Sequence, residues 1–449
     1  MTEQYDVIIL GVGPSGSDIA GKMSKAGWKT AVVDSRGYGG TCPLRGCNPK
    51  KVLASAAELV ARQERMQGSG LESDSRISWK KLIDFKRSFT DPVPEATEKS
   101  LQKAGVDTYH GEARFTGKQE VQVGNDALRG EKIVIATGAN PVSLPIEGEE
   151  YLTYSDEFME LDELPKRVIF VGGGYISFEF AHIAARAGSE VHIIQRGNQP
   201  LKAFDEDLVN QLVEKSEQVG IHVHLNSSVK EIEKDAGSYK VTADRNDEEV
   251  SWNGDLVVHG GGRAPELDGL QLEQANISYE KSGVTVNEYM QSVSNPAVYA
   301  SGDAADSPGS PLTPVAHLEA EAVTENLLNG NGKQPNYTGV PSVVFSIPKL
   351  ALAGITEEEA KESGQNVDIN YQDISSFFTY QHTNEDTAAV KIITDKDTGQ
   401  ILGAHLLGGE ADELINYFAM AIQLKLTKDD LKKVTYAFPT AVSDIPSML

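Results

Sequence analysis

Cys42 and Cys47, separated by four residues in the stretch GGTCPLRGCNPKK, are the only cysteines in a chain of 449 residues. Two thiols at this spacing can ligate a metal, close a short loop or cycle between dithiol and disulfide. The spacing alone leaves all three readings open. Lys50 follows directly and by itself reads as a surface lysine.

The elements around these residues narrow the chemistry. In YDVIILGVGPSGSDIAGKMSKAGWKTAVVDS an apolar strand at residues 7–10 meets a glycine-rich turn. A helix then spans about 15–26, and a second strand ends on Asp34. Gly11 permits the tight turn, Gly13 lets backbone amides approach a pyrophosphate, and Gly16 lets helix and strand pack closely. The helix N-terminus faces the phosphates, and Asp34 stands where an acid accepts a hydrogen bond from a ribose hydroxyl. The pattern recurs in KRVIFVGGGYISFEFAHIAARAGSEVHIIQR, with Gly172, Gly174 and Ser177 at the turn. Asp34 lies 34 − 11 = 23 residues beyond Gly11, and Gln195 lies 195 − 172 = 23 beyond Gly172. A single glycine fingerprint is weak, whereas two copies with the same internal spacing define two dinucleotide-binding units.

Shorter strand-to-glycine exits follow at KIVIATGANP (Thr137, Gly138), LVVHGGGRAPE (Gly262) and NPAVYASGDAA (Asp303). From about residue 337 the pattern changes to antiparallel strands (VPSVVFSIPKLALAG, AAVKIITD, QILGAHLLGG) and an amphipathic helix (EADELINYFAMAIQLKL). This predicts an α/β protein with two Rossmann-like dinucleotide-binding domains and a C-terminal α+β domain. The net charge of −25 argues against nucleic acid and anionic membranes as main partners. The polar N-terminus resembles neither a secretory signal nor a transit peptide, and two cysteines do not make a secreted disulfide scaffold, so a cytoplasmic location is expected.

Together these segments resemble the flavoprotein disulfide reductases, the FAD-containing pyridine nucleotide-disulfide oxidoreductases that include glutathione reductase and dihydrolipoamide dehydrogenase. GGTCPLRGCNPKK is similar to the family's redox-disulfide motif. ATGANP and VYASGD resemble its flavin-associated turns, PLTPVA its flavin-contacting segment, and the sequence from VPSVVFSIPKLALAG onward its dimerisation domain. The resemblance implies FAD binding by residues 1–145 and 263–334, NAD(P)H binding by 146–262, and a dimerisation domain at 335–449. It implies a homodimer whose active site is completed by the partner's C-terminal segment. It makes Cys42 and Cys47 a redox disulfide, with Cys47 facing the flavin as charge-transfer thiolate and Cys42 exchanging with a small-molecule acceptor. No metal is expected, since no Cys or His nearby in sequence supplies further ligands. Lys50 becomes a buried partner near the flavin, its counter-charge Glu179, and Tyr175 a ring that swings aside for nicotinamide. Thr41, Thr137, Gly138, Thr313 and Asp303 join Gly11, Gly13, Gly16 and Asp34 in holding FAD, with Asp303 on the ribityl chain. Gly172, Gly174 and Gly262 line the nicotinamide-nucleotide site. NAD-using members end the second strand of that unit on an acid. Here Gln195 is followed by Arg196 and Lys202, cations suited to a 2′-phosphate, so NADPH is the expected donor.

The chain departs from the family pattern in two places. Where the family ends His-Pro-Thr-x-x-Glu, this chain reads AFPTAVSD, placing Phe438 at the His and Ser443 at the Glu position. Phe cannot shuttle a proton, and general acid help is typically worth ~10²–10⁴-fold. Electron flow to Cys42 and Cys47 is expected to survive, while release of a poor leaving thiol suffers unless water, Tyr436 or Asp444 supplies the proton. Glu321 and Gly21 replace cations that hold glutathione in glutathione reductases, so glutathione disulfide is not the expected acceptor. Two alternatives remain. One is a proton-excluding enzyme resembling ketopropyl-coenzyme M oxidoreductase/carboxylase, which shares the Phe. The other is a low-turnover flavin redox sensor or electron carrier.

Overall fold

The computed structural model describes residues 2–72, 75–235 and 237–449. Two compact units are each assembled from discontinuous stretches. The first ends its opening stretch at Pro49 and adds Phe85–Val142 and Arg263–Tyr337; the second combines Lys50–Asp84, Ser143–Gly262 and Thr338–Leu449.

In the first unit the strand Glu3–Leu10 pairs in parallel with Thr30–Asp34 on one side and Asp126–Ile135 on the other. Val298–Ala300 adds in parallel to Asp126–Ile135. Val7, Ile8, Ile9, Ile133, Val134 and Ile135 are wholly buried. Such unbroken apolar runs are what a parallel sheet covered on both faces demands. The helix Pro14–Lys25 packs against the long helix Thr313–Asn329. Proline in the first turn starts both helices without losing an intrahelical bond.

The second unit contains a parallel sheet in the order Ile221–His224, Glu190–Ile194, Arg167–Val171, Leu256–His259, with the helix Tyr175–Arg186 packed on it. A three-stranded antiparallel ribbon, Ser227–Asp235, Ser238–Arg245 and Glu248–Gly254, interrupts it in sequence. The C-terminal part forms a five-stranded antiparallel sheet, Ser342–Val344, Lys349–Gly354, Ile401–Gly408, Ala389–Asp395 and Val367–Asp373. The helix Ala411–Gln423 covers it, burying Leu414, Ile415, Phe418, Ala421 and Ile422 at helical spacing. Both dinucleotide-binding folds and the α+β end thus match the reading from sequence. Among the described residues, no helix is long and apolar enough to cross a membrane.

Within this unit Lys391 is almost fully buried and its Nζ lies 2.8 Å from Asp205, 2.6 Å from Asp207 and 2.8 Å from Glu357. Burial alone pushes the ammonium down, but the three carboxylates more than offset it and hold Lys391 above the usual lysine range. The lysine occupies the centre where three acids converge.

Candidate active site

The first glycine turn is shaped by close backbone approach. Gly11 has φ +100°, and a Cβ there would lie 2.3 Å from the Ala136 carbonyl oxygen. Gly40 has φ +72°, and a Cβ there would lie 2.4 Å from the Gly13 Cα, so the turn that precedes Cys42 rests directly on the fingerprint. A Cβ on Gly16 would meet the Gly11 carbonyl oxygen at 2.0 Å. Asp34 accepts the Val12 amide at 2.7 Å and the Arg36 amide at 2.8 Å. The Thr137 hydroxyl oxygen is buried without a hydrogen-bond partner among the described residues, and Gly138 beside it leaves open space. An orphaned buried hydroxyl beside a glycine cradle fits a dinucleotide that has polar oxygens to offer.

Asp303 is mostly buried, and burial raises its carboxyl above the ordinary range while Arg263 opposes the shift. The turn before it is fixed by Glu319, a residue not evident from sequence motifs. Glu319 is wholly buried and accepts the Gly302 amide at 2.6 Å, the Ser307 hydroxyl at 2.5 Å and the Tyr337 hydroxyl at 2.9 Å. Ser15 and Ser301 share a 2.6 Å hydroxyl contact that ties the first helix to the same turn.

Thr41 begins the short helix Thr41–Arg45, which carries Cys42. Cys47 is the first residue of the 20-residue helix Cys47–Met66. A helix N-terminus favours a thiolate over a thiol. The Sγ of Cys47 lies 3.5 Å from the Thr313 Oγ1, and Thr313 itself begins the helix Thr313–Asn329. The sequence reading gave Thr313 a flavin contact; the structure also places its hydroxyl on the sulfur. A hydroxyl there can donate to a thiolate and favour the charged form.

In the second unit Lys50, one turn into that same helix, meets Glu179 at 2.6 Å. The side chains are 12% and 3% exposed, which makes this a buried ion pair. Glu179 Oε1 also accepts the Phe345 amide at 2.9 Å, and Lys50 Nζ sits 4.2 Å above the centre of the Phe345 ring. Phe345 therefore grips both members, a role invisible in sequence because 166 residues separate it from Glu179. Tyr175 opens the helix Tyr175–Arg186 and is about half exposed.

The second glycine turn repeats the first. Gly172 has φ +111°, and a Cβ there would lie 2.2 Å from the Gly260 carbonyl oxygen. Gly174 caps the helix, and Gly262, φ +110°, has open space. Gln195 accepts the Gly173 amide at 2.9 Å, the same bond that Asp34 makes with the Val12 amide. A neutral amide does this structural job without adding negative charge. Arg196 and Lys202 are exposed, and neither makes an ion pair among the described residues.

The C-terminal segment exposes Phe438, at 82%. Neither candidate proton donor is idle. The Tyr436 hydroxyl donates to the Leu431 carbonyl at 3.1 Å, and Asp444 accepts the Thr379 hydroxyl. Ser443 closes a capping turn with Thr440, donating its hydroxyl to the Thr440 carbonyl at 2.6 Å. Glu321 is exposed and lies 3.6 Å from Lys333.

Two dinucleotide folds, a cysteine pair on helix starts and a buried lysine–glutamate pair define a flavin-dependent pyridine nucleotide-disulfide oxidoreductase. The comparisons agree. Residues 5–320 match the pyridine nucleotide-disulphide oxidoreductase family and residues 340–448 its dimerisation domain, and the chain belongs to this family. The chain is 30% identical to the glutathione reductase of Burkholderia cepacia over 446 residues, covering 99% of this chain and 98% of that one. A 180-residue stretch, 40% of this chain, is 54% identical to the whole of an uncharacterised 19.7 kDa protein in the mercuric resistance operon of Staphylococcus aureus. Among solved structures, the Cu(II) complex of a cysteine-to-serine mutant of the HOCl-induced flavoprotein disulfide reductase RclA from Escherichia coli superposes with TM-score 0.89. It is 27% identical and the match covers 100% of this chain and 99% of that one. The family binds FAD together with a pyridine nucleotide.

Proposed function

We propose that this enzyme takes electrons from NADPH and passes them to a Cys42/Cys47 couple, which reduces a small acceptor other than glutathione disulfide. The observation that carries this reading is Cys47 at the start of a helix, its sulfur beside the Thr313 hydroxyl. Lys50, one turn on, is neutralised by Glu179. FAD, held by the first glycine turn, Thr137 and the Asp303 turn, supplies a two-electron carrier between nicotinamide and sulfur. Arg196 and Lys202 hold the 2′-phosphate of NADPH, a task an acid at position 195 would oppose. Tyr175 covers the nicotinamide entry. Cys42 attacks the acceptor, and Cys47 then displaces it to reform the disulfide.

With Phe438 in the position of the family's acid–base histidine, the acceptor must have a good leaving group or draw its proton from water. Exposed Glu321 repels the carboxylates of glutathione. The names of the relatives point the acceptor search toward oxidised thiols and thiophilic metal ions. The exposed Tyr417, Met420 and Leu424, at helical spacing, together with Val434 and Phe438, support a homodimer formed by the C-terminal domain. Phe438 also favours a second reading, proton exclusion that protects a carbanion for trapping by CO₂.

The test is NADPH and NADH oxidation across a panel of activated disulfides, glutathione disulfide, Hg(II), Cu(II) and a thioether ketone with bicarbonate. Turnover that requires Cys42 and prefers NADPH is expected. Full-rate reduction of glutathione disulfide, or turnover unchanged in Cys42→Ser, contradicts the reading.

A further inference from the structure

Arg196 and Lys202 lie on the loop between the strand Glu190–Ile194 and the helix Glu206–Gln218 of the second unit. That loop is fastened along its length. Gln195 Oε1 accepts the Gly173 amide at 2.9 Å, and the Gly197 carbonyl accepts the Asn226 amide at 3.0 Å. The Leu201 amide donates to the Gly173 carbonyl at 2.9 Å, and Leu201 and Phe204 are buried in the core. A Cβ on Gly197 would meet Lys202 Cε at 3.9 Å, so the lysine folds back beside the neighbour of Arg196. The far end of the loop is Asp205. Its Oδ1 caps the helix, accepting the amides of Asp207 at 3.2 Å and Leu208 at 3.4 Å, and its Oδ2 lies 2.8 Å from Lys391 Nζ. Lys391 comes from the strand Ala389–Asp395 of the C-terminal sheet.

We infer that Lys391 is a positioning residue for the nicotinamide nucleotide: acting through Asp205, it fixes the end of the loop that presents Arg196 and Lys202 to a 2′-phosphate. This rests on NADPH as the donor. Asp205, Asp207 and Glu357 each bring an oxygen within 4.8 Å of the others, and Lys391 supplies the ammonium between them. Without it three carboxylates face one another across that short distance and repel. The more exposed Asp207 and Glu357 can turn toward water. Asp205, its side chain only 4% exposed, relieves the repulsion by moving the backbone on either side of it. Lys202 lies three residues before Asp205, so their Cα atoms are at most about 11 Å apart. A shift at Asp205 therefore reaches Lys202 through two intervening residues. With a Debye length of about 8 Å at physiological salt, the uncancelled negative charge is also only partly screened from that loop. Both effects weaken a nucleotide that carries the 2′-phosphate more than one that lacks it. The C-terminal sheet thereby takes part in the choice of donor.

The experiment titrates full-length, FAD-loaded protein by calorimetry with adenosine 2′,5′-bisphosphate and with adenosine 5′-monophosphate, which lacks the 2′-phosphate. The parent protein is expected to prefer the bisphosphate by at least about tenfold. Lys391→Met is expected to reduce that preference at least about fivefold, the low end of coupling between distant sites. Lys391→Arg, which keeps the charge, is expected to restore most of it. Hydrogen exchange of the parent protein depends on no variant folding. By linkage, the bisphosphate is expected to slow exchange of the Asp207 and Leu208 amides more than the monophosphate does. A parent protein without preference for the bisphosphate overturns NADPH as the donor, and this inference with it. A parent preference that Lys391→Met leaves intact, equal loss of both nucleotides, or equal protection by both overturns the positioning role alone.

Discussion

The Lys50 ammonium lies 2.6 Å from the Glu179 carboxylate, and both side chains are buried on elements 129 residues apart in the chain. An ion pair withdrawn from water is held only if both charges are present. Removing one member strands the other at a cost of about 3–5 kcal/mol. Lys50→Met and Glu179→Leu are each expected to destabilise the protein by that amount in urea unfolding. The double variant Lys50→Met/Glu179→Leu is expected to recover most of the loss, while NADPH-driven flavin reduction stays slow. A double variant as unstable as the sum of the single ones contradicts a paired role.

Lys391 gives a second stability test, with a pH dependence of known sign. Its folded-state value is raised by Asp205, Asp207 and Glu357, so its stabilisation is complete below the unfolded lysine range near 10.4 and is lost as pH climbs past it. Glu357 is lowered, first by Lys361 and then by Lys391, so its share is complete above the unfolded glutamate range near 4.3 and is lost as pH falls further. Lys391→Met is expected to cost about 3–5 kcal/mol at neutral pH. The difference between the two proteins should stay flat from about pH 6 to 9 and shrink below about pH 4. Thermal melts across this range measure it.

Arg196 should decide between the two nicotinamide donors. A charge-assisted contact to a 2′-phosphate is worth about 1.5–3 kcal/mol. Arg196→Ala is therefore expected to lower kcat/KM for NADPH roughly tenfold to a hundredfold and to leave NADH nearly unchanged. Gln195→Glu keeps an acceptor for the Gly173 amide and should weaken NADPH in the same direction. Equal loss with both donors would assign Arg196 to structure alone.

Phe438→His restores an imidazole at an exposed position, where substitution costs little stability, within about 0.5 kcal/mol. Steady-state reduction of a disulfide with a poor leaving thiol is expected to rise by up to ~10²-fold, the lower end of general acid catalysis. The gain should follow a bell-shaped pH profile absent from the parent. A folded variant with no gain would place the proton source elsewhere.

Both glycine turns, with Asp34 and Gln195 23 residues beyond the first glycine of each, were legible because a phosphate-binding turn constrains neighbours in sequence. Phe345 and Glu319 were not legible. Their partners come from remote strands and helices, and each residue alone reads as core or surface. Thr313 was recognised as part of a cofactor segment, but its place beside the Cys47 sulfur is a tertiary fact. Tyr436 and Asp444 qualified as proton donors by residue type, and only the structure reveals the Leu431 carbonyl and the Thr379 hydroxyl they already serve.

The central claim is that electrons pass from flavin to the pair of Cys42 and Cys47. Anaerobic titration of the FAD-loaded protein with NADPH, followed by absorbance, tests it most directly. The account predicts that the wild type consumes more NADPH per flavin than Cys47→Ser and develops a long-wavelength charge-transfer absorbance that the variant lacks. Identical uptake in the two proteins, with bleaching of the flavin alone, would contradict it.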